Sequence, residues 1–551
     1  MKRGIFILPV LVGPLGAQLF YAYPQTVFGL RGVYSFRFMH TAFLFEDDLD
    51  RLFYPVKLSE IEGGRFFSAL TNPFGNERAL DPTAPTNNQL ILGAKTNVFL
   101  NLSPLYMQTD LNLGVSSKLD TVYYENWSDP DNKYADRMEL KDSVFHGDGY
   151  GEKGFLLSLG NQTLGFLFLY SSMNIKVYPQ RTGVFPFSYG NYRYVYKEYD
   201  NINNTLQSSD STESYRVVDT SITPVLFGVS FGFGGFSGMV FGGFMGVGDR
   251  DTANRYAESN TDPANPFTGQ KWNDVLTANG KASGPIFGLQ GDLAFGSETW
   301  KSNLMFAYAL RYLSNGKGKS NEVNWWGIYN ATQNPIFSTL DSTISEYKYS
   351  SNTHDITIYL RNKYPVHEQV LFGAGLALEM VFGRMSRDYT NVLNKRINFT
   401  DTDGNGSVDA PGDVRTTTYT QSSYKENVST TSFNYYIPVG FELVPIASWE
   451  DVKLRLGALY SHTSTTRTTK TYDWSVESKT KTETSGGTTE TPNDITVPGE
   501  NISKTKTSIS NTTFYYGASV AIAKRVVIDF TGFGSGILTP AFWNISVVLR
   551  Y

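Results

Sequence analysis

Large apolar residues alternate with smaller or polar ones in the stretch Trp543-Asn544-Ile545-Ser546-Val547-Val548-Leu549-Arg550-Tyr551. The apolar set is Trp543, Ile545, Val547, Leu549 and Tyr551. A period of two is typical of a β-strand whose two faces meet different surroundings. The stretch therefore predicts a strand at 541–551 with one apolar face.

The same alternation recurs upstream. The apolar sets are Phe287, Leu289, Leu293 and Phe295; Leu304, Phe306, Tyr308, Leu310 and Tyr312; Phe433, Tyr435, Ile437, Val439, Phe441 and Leu443; and Val452, Leu454, Leu456 and Tyr460. Residues 223–248 carry no charge and are long enough for a membrane helix, but they alternate and are rich in glycine. That pattern predicts two strands there rather than a helix.

Composition narrows the class of protein. The 551 residues are 15% aromatic and 18% charged, below the roughly 25% charge of ordinary soluble domains. The formal charge of −5 gives no footprint for nucleic acid, which we exclude as a partner. The absence of cysteine excludes a disulfide scaffold, a thiol nucleophile and a thiolate metal site.

The first residues have the layout of a secretory signal. Met1-Lys2-Arg3 precedes an apolar run over 4–12 and the small pair Gly16-Ala17. We predict a signal peptide at 1–22, a periplasmic N-terminal segment or hatch at 23–63, and a barrel at 64–551. The alternative for the first stretch is an N-terminal strand or anchor.

Long polar stretches separate the alternating blocks, near 119–152, 177–222, 249–283, 315–353, 386–430 and 464–511. They predict loops, although the Thr-rich 464–511 also suits an extension of two strands. Long and short connections then alternate, as in outer-membrane barrels. With strands near 64–74 and 541–551 and seven pairs between, the fold class is all-β: a transmembrane antiparallel β-barrel of about 16 strands (range 14–18) with long extracellular loops. A soluble sandwich is the alternative, but it seldom carries such connections.

Charged residues share the polar phase of the strands. A charge facing lipid near the midplane would cost roughly 2–4 kcal/mol, so these residues are predicted to line the lumen. They either pair and rigidify the wall or bias what passes through a pore. The set is Asp110, Asp292, Arg311, Arg361, Glu379, Glu442, Lys453, Arg455 and Asp529.

An acidic stretch at 401–413 resembles the calcium loop of EF-hands and dockerins over nine positions. The resemblance implies Ca²⁺ ligands at Asp401, Asp403, Asn405, Ser407 (by its carbonyl) and Asp409. The twelfth position holds Gly412 rather than an acid, and Asp413 comes one place late. An Asp/Gly turn that solvates the loop is the alternative, and no other cofactor is required.

Enzyme chemistry has little support in the sequence. The five histidines show no zinc-pair spacing, and no Gly-x-Ser-x-Gly elbow occurs. His462, near Ser461 and Ser464, is the one candidate centre for a hydrolase. We predict a solvated histidine at a strand end and no enzyme.

The apolar set of 543–551 resembles the C-terminal assembly signal of bacterial outer-membrane barrels, which implies outer-membrane lipid and the barrel-assembly machinery as partners. Near the N-terminus, Asp47, Asp48, Phe53, Pro55 and Leu58, followed by Gly63-Gly64, resemble the early segment of FadL-type transporters of fatty acids and hydrocarbons. In that family an acidic start leads to Phe-x-Asn-Pro-Ala-Gly-Leu.

Pro55 and Leu58 match the FadL-type motif, whereas Tyr54, Val56 and Lys57 replace its Asn, Ala and Gly. The resemblance covers about twenty-five residues. It implies that this segment folds into the barrel as a hatch, and that hydrophobic small molecules are the substrates. The family's barrel has fourteen strands, at the low end of the expected range.

These observations predict a porin-like channel in a bacterial outer membrane for passive uptake of small molecules, hydrophobic ones if the FadL resemblance holds. The alternative is a surface adhesin or structural barrel that acts through its long loops.

Overall fold

The fold comes from a computed structural model of the chain. It describes residues 44, 51, 54–71, 86–97, 100–112, 117–125, 136–144, 149–177, 192–200, 205–260, 268–297, 299–330, 334–446, 452–523, 525–534 and 542–551. The signal peptide predicted at 1–22 lies outside these residues, as do Asp47, Asp48 and Phe53. No helix among the described residues is long and apolar enough to cross a membrane.

The described residues form twenty strands and one short 3-10 helix, Pro55–Glu60. The strands are β1 Arg65–Thr71, β2 Thr86–Lys95, β3 Asn101–Asn112, β4 Ser117–Glu125, β5 Asp136–Val144, β6 Gly149–Gly160, β7 Leu164–Val177, β8 Tyr192–Asp200, β9 Thr205–Phe233, β10 Phe236–Asn260, β11 Thr268–Gly296, β12 Lys301–Asn330, β13 Phe337–His367, β14 Val370–Thr400, β15 Val414–Leu443, β16 Val452–Thr484, β17 Gly487–Pro492, β18 Asn501–Ile522, β19 Val526–Gly534 and β20 Phe542–Arg550. The strands predicted near 64–74 and 541–551 are confirmed as β1 and β20.

The strands form one antiparallel sheet that closes on itself. Sixteen of the twenty pair in a ring that runs β1-β2-β3-β6-β7-β9, continues through β10 to β16, and returns by β18, β19 and β20 to β1. β8, β5 and β4 extend the sheet beside the outer part of β9, and β17 folds back on β16. A closed ring leaves no open sheet edge at the level where it closes.

The outer face of the ring is apolar. Exposed positions alternate with buried ones, and Phe227, Phe244, Phe287 and Leu456 each expose more than half of their surface. The exposed side chains continue onto β1, β7, β12, β15 and β18, so they form a band. Soluble proteins rarely expose contiguous apolar patches above a few hundred Å². This band is the lipid-facing surface of a transmembrane barrel.

Glycine-rich residues 223–248 form two strands, as predicted. β9 ends at Phe233, Gly234 and Gly235 make the turn, and β10 begins at Phe236. Gly234 has a φ of +58°, a left-handed conformation that favours glycine. The uncharged segment thus crosses the membrane as a hairpin.

Most polar stretches expected as loops continue the strands instead. The strands from β10 to β15 take in most of 249–283, 315–353 and 386–430, and β16 has 33 residues. At about 3.3 Å per residue a 31-residue strand is ~100 Å long, and a tilt of about 40° leaves ~75 Å along the axis. The hydrocarbon core is ~30 Å thick, so this wall projects far beyond the bilayer.

A row of bulges crosses the projecting wall. The registers shift between Lys281 and Ser283, Leu313 and Gly316, Glu346 and Tyr347, Tyr389 and Val392, and Ser423 and Lys425. Bulges bend strands and increase their twist. Outward-facing Glu346, Lys348 and Lys425 are exposed and charged at this level, which therefore lies outside the lipid.

Four rings pack in a row on the inner face beside the bulges. This aromatic row consists of Tyr347, Tyr389, Tyr424 and Trp474 from β13 to β16, with successive ring centroids 5.1, 4.4 and 4.2 Å apart. The three tyrosines are buried. Stacked pairs add about 0.5–1.5 kcal/mol each beyond the burial of their surface. The row therefore holds four tall strands together above the membrane.

Tyr424→Ala tests this role, because Tyr424 stacks on both of its neighbours. We expect the free energy of unfolding to fall by about 3 kcal/mol, as for other large-to-small changes in a packed interior. Tyr419→Ala, on the same strand but with an exposed side chain, is the matched control and should cost less than half as much. Urea titration of the detergent-solubilised barrel measures both. Equal losses would show that the row does not stabilise the wall.

Candidate functional site

An N-terminal segment lies inside the ring at the end where short turns, such as Gly234-Gly235 between β9 and β10, join the strands. We call this end the short-turn end. Tyr54, Pro55, Val56, Leu58 and Ile61 are buried, and the 3-10 helix begins at Pro55, whose fixed φ suits a first helical position. We call residues 54–61 the inner segment. It packs on β3, β6, β7 and β9.

Glycines of the wall make room for the inner segment. A Cβ at Gly160 would lie 2.5 Å from the carbonyl oxygen of Pro55, and one at Gly165 would lie 2.4 Å from the Pro55 Cβ. Any side chain at these two positions would collide with the inner segment, so glycine is what permits its close approach to the wall.

Two lysines fix the inner segment to the barrel. Lys57 Nζ forms an ion pair with Asp292 on β11. Lys95 Nζ, buried on β2, donates to the carbonyl oxygens of Ile61 (2.5 Å) and Gly63 (3.0 Å). The segment is thus tied to opposite parts of the ring by charge-assisted bonds, which are roughly twice as strong as neutral ones.

Only some of the residues predicted to form a hatch belong to the inner segment. Pro55 and Leu58 are buried in the inner segment, whereas Asp47, Asp48 and Phe53 lie outside the described residues. The departures from the FadL-type motif are informative, because Lys57 and Tyr54 make contacts of their own. Lys57 Nζ lies 5.0 Å from the centre of the Tyr54 ring.

Seven of the nine residues predicted to line the lumen have described side chains, and none lies on the apolar outer band. Asp292, Arg311, Arg361, Glu379 and Arg455 are at most 4% exposed. Glu442 and Lys453 are half-buried near the short-turn end. Asp110 and Asp529 lie on β3 and β19, and their side chains are outside the described part.

These charges form paired groups on the inner wall. Glu442 accepts from Lys453 Nζ and Arg455 Nε, each at 2.7 Å. Asp292 accepts from Asn303 Nδ2 at 3.1 Å, and Asn303 Oδ1 accepts from Arg361 Nε at 3.2 Å.

Two more groups complete the described wall. Arg311 pairs with Asp355 at 3.6 Å, and Asn434 donates to Glu379 at 2.5 Å. The inner wall of β11 to β16 is therefore packed with polar side chains rather than lined with freely solvated ones.

Sequence reasoning missed several residues of this interior. Asp355 and Asn303 occupy the inward phase of strands whose alternation was otherwise read. Arg387 and Glu426, 3.1 Å apart beside the aromatic row, lie in a stretch assigned to a loop. The alternation of the strands would have identified Asp355 and Asn303 as inward-facing. Arg387 and Glu426 could be identified only by knowing that the strands continue beyond the membrane.

The predicted calcium loop joins β14 to β15 at the outer end of the barrel. Carboxylate oxygens of Asp401, Asp403 and Asp413 lie within 4.8 Å of one another. The backbone N–H groups of Gly404 and Gly406 each donate to Asp401 at 2.6 Å, and Gly406 has a φ of +85°. This is a tight loop organised around Asp401.

The other predicted ligands are placed differently. The Asn405 amide nitrogen donates to Asp403 and to Asp409, while its oxygen accepts from the backbone of Ser407. Asp409 is outside the three-carboxylate group. Asp413 joins that group although the sequence pattern placed it one position late.

Asp413 also closes the loop. Its carboxylate accepts from the Thr402 hydroxyl (2.6 Å) and backbone, and from the backbones of Ala410 and Asp409. These bonds, the Thr402 hydroxyl first, lower the pKa of Asp413 to about 2. The carboxylate is therefore ionised at any physiological pH.

His462 lies on β16 between serines of the neighbouring strand. Its Nδ1 is 2.8 Å from Ser510 Oγ and its Nε2 is 3.3 Å from Ser508 Oγ, and the Tyr435 ring stacks on it at 5.0 Å. Ser461, the neighbour singled out in the sequence, donates instead to the Asn511 carbonyl. No described carboxylate is hydrogen-bonded to this histidine.

The C-terminal strand completes the ring. Tyr551 and Gly64 exchange backbone hydrogen bonds of 3.0 and 3.2 Å, and β20 pairs with both β1 and β19. Leu549 and Tyr551 are exposed on the apolar face, and Val547 is half-buried. Trp543 and Ile545 belong to β20, but their side chains are outside the described part.

Comparison with known proteins gives structural likeness alone. No family model matches the chain, and no curated protein matches its sequence. Among solved structures it is similar to the ferric yersiniabactin uptake receptor FyuA from Yersinia pestis (9% identity, 88% of this chain and 79% of that chain, TM-score 0.26). It is also similar to a Pseudomonas aeruginosa FadL homologue (10% identity, 94% of this chain and 97% of that chain, TM-score 0.22). A third similar structure is BauA, the ferric preacinetobactin receptor from Acinetobacter baumannii (9% identity, 89% of this chain and 80% of that chain, TM-score 0.24). By its own closed ring and apolar band, the chain is a transmembrane β-barrel of the bacterial outer-membrane type.

Proposed function

We propose that this barrel is an outer-membrane channel for passive passage of small molecules, closed at its short-turn end by the inner segment. The observation that carries the proposal is the Lys57–Asp292 ion pair, which ties a segment inside the ring to the wall. A barrel of about sixteen strands is wide enough to hold an aqueous lumen, so a tied inner segment has a passage to close.

The polar inner wall favours small polar solutes as the first substrate class to test. Ion pairs and amides line the inner face of β11 to β16. A hydrophobic substrate would bury apolar surface against charged groups and gain little from that contact. Hydrophobic small molecules, the class implied by the FadL resemblance, are the second outcome that the same experiments distinguish.

Asp292→Asn tests the closure. The substitution keeps the shape of the side chain but removes its charge, so Lys57 loses its ion pair and the inner segment is held less tightly. In planar bilayers we expect a higher open probability than for the wild type, and a larger increase after deletion of 40–63. Asp274→Asn, which removes a wall carboxylate that pairs with Arg255 far from the segment, is the matched control and should leave conductance unchanged.

Liposome swelling with a pentose and uptake of a labelled fatty acid then separate the two substrate classes. Silent bilayers for the wild type, Asp292→Asn and the deletion would contradict the channel.

A surface adhesin or structural barrel is the second candidate. The observation in its favour is the tall wall of β9 to β16, which projects beyond the bilayer. β17 and the outer half of β18 are exposed throughout their described length, so they present polar backbone and Thr-rich surface to a partner. Loss of attachment after deletion of 470–500, with unchanged permeability, would favour this candidate over the channel.

We also propose that the loop 401–413 binds one Ca²⁺ through Asp401, Asp403 and Asp413. Support comes from the three converging carboxylates and from the resemblance to calcium loops. Oxygen ligands suit this hard cation, and extracellular sites need only an affinity of about 10⁻⁴–10⁻³ M.

Titration calorimetry of the detergent-solubilised barrel tests the ligand set. We expect one weak Ca²⁺ site in the wild type and at least a tenfold loss of affinity in Asp413→Asn, since a ligating charge disappears. Asp409→Asn should bind nearly as well as the wild type, because Asp409 lies outside the converging group. The opposite ranking would restore the ligands read from the sequence, and no heat at 10 mM Ca²⁺ would leave only an Asp/Gly turn.

A further inference from the structure

A polar cluster lies inside the barrel at the level of the apolar band. It consists of Arg311 on β12, Asp355 and Thr357 on β13, Glu379 on β14 and Asn434 on β15, and each is at most 6% exposed. We call these five residues the interior cluster. It lies on β12 to β15, whereas the inner segment packs on β3, β6, β7 and β9.

Three members stand directly opposite one another. Thr357 pairs in register with Glu379, and Glu379 pairs with Asn434. Directly opposite side chains on one face are about 4.5–5.5 Å apart at Cβ, so their polar atoms reach one another. On the other side of Thr357 the register places Ala307, whose small side chain leaves space in the row.

Three oxygens in this row have no hydrogen-bond partner among the described residues. They are Glu379 Oε1, Asn434 Oδ1 and Thr357 Oγ1. The other Glu379 oxygen accepts from Asn434 Nδ2. Leaving a buried polar atom unpaired costs about 1–3 kcal/mol, and more for a charged group. Three such oxygens on three adjacent strands therefore call for a common electropositive partner.

The charge of the cluster points the same way. Arg311 pairs with Asp355 at 3.6 Å and also faces Glu379, so within the interior cluster one guanidinium serves two carboxylates. A buried carboxylate is expensive unless it is paired, so one positive charge is missing.

We propose that the interior cluster binds a monovalent hard cation, a sodium ion, between Glu379 Oε1, Asn434 Oδ1 and Thr357 Oγ1. Carboxylate, amide and hydroxyl oxygens are ligands of hard cations. One positive charge balances Glu379, whereas a divalent ion would leave an excess beside Arg311. A proton on Glu379 would give one O–H donor for one of the other two oxygens, and it would leave the last oxygen without a partner.

Thermal unfolding of the full chain in detergent tests this site, with EDTA present so that the outer loop carries no divalent ion. Sodium chloride is compared with N-methylglucamine chloride at equal ionic strength, because that large cation cannot enter the row. We expect a higher midpoint in sodium. Glu379→Gln, which removes the charge but keeps the shape, should give the same midpoint in both salts.

Two further variants make the result specific. Thr357→Val removes one ligand without changing charge and should raise the half-saturating sodium concentration about tenfold. Glu442→Gln, an inward glutamate whose two oxygens already face Lys453 and Arg455, should keep the sodium effect. A wild type that unfolds alike in both salts, or Glu379→Gln that still responds to sodium, would overturn the site. Stabilisation of the outer-loop variant Asp413→Asn by calcium, but not by sodium, would overturn the monovalent assignment.

Discussion

Closure of the antiparallel ring in lipid is the constraint on which the rest of the structure depends. No water is present in the hydrocarbon core to bond free backbone groups, so each N–H and C=O must pair between strands. The pairing of β1 with β20, with Gly64 and Tyr551 bonded at the seam, completes that requirement. Alternation follows from it, because each spanning strand then has one lipid face and one inner face.

The inner face explains how this barrel carries so much buried charge. Arg361 and Arg455 would each be costly on the outer band, and they are tolerated inside because the Asn303 amide bonds the first and the Glu442 carboxylate the second. The same packing means that the wall of β11 to β16 is not an open water column. In the proposed channel, passage would therefore depend on the part of the interior that is held by few contacts, which among the described residues is the inner segment.

Much of the membrane-level fold can be predicted from the sequence, because alternation directly reports two different environments. Phe287, Leu289 and Leu293 face lipid as their spacing predicts. Above the membrane the outer face of a strand meets water instead of lipid, so the alternation of apolar residues disappears and a strand such as 386–400 looks like a loop. The signal that remains is β-propensity, visible in the threonines of β16. Asp413 was missed for another reason: its role depends on how the loop folds back, which spacing along the chain does not reveal.

The two levels of the barrel differ in how easily they can move. In the aromatic row, the Tyr424 ring stacks on Tyr389 on one side and on Trp474 on the other. Four long strands would have to separate to open this row. Such a change would lose the stacking energy and the burial of several large side chains at once, which together stabilise the wall by many kcal/mol. The inner segment has fewer ties to break, namely the ion pair of Lys57, the bonds of Lys95 and the packing of six or so residues. The row therefore acts as a fixed frame, and in the proposed channel the inner segment is the element whose displacement would open a path without unfolding the barrel.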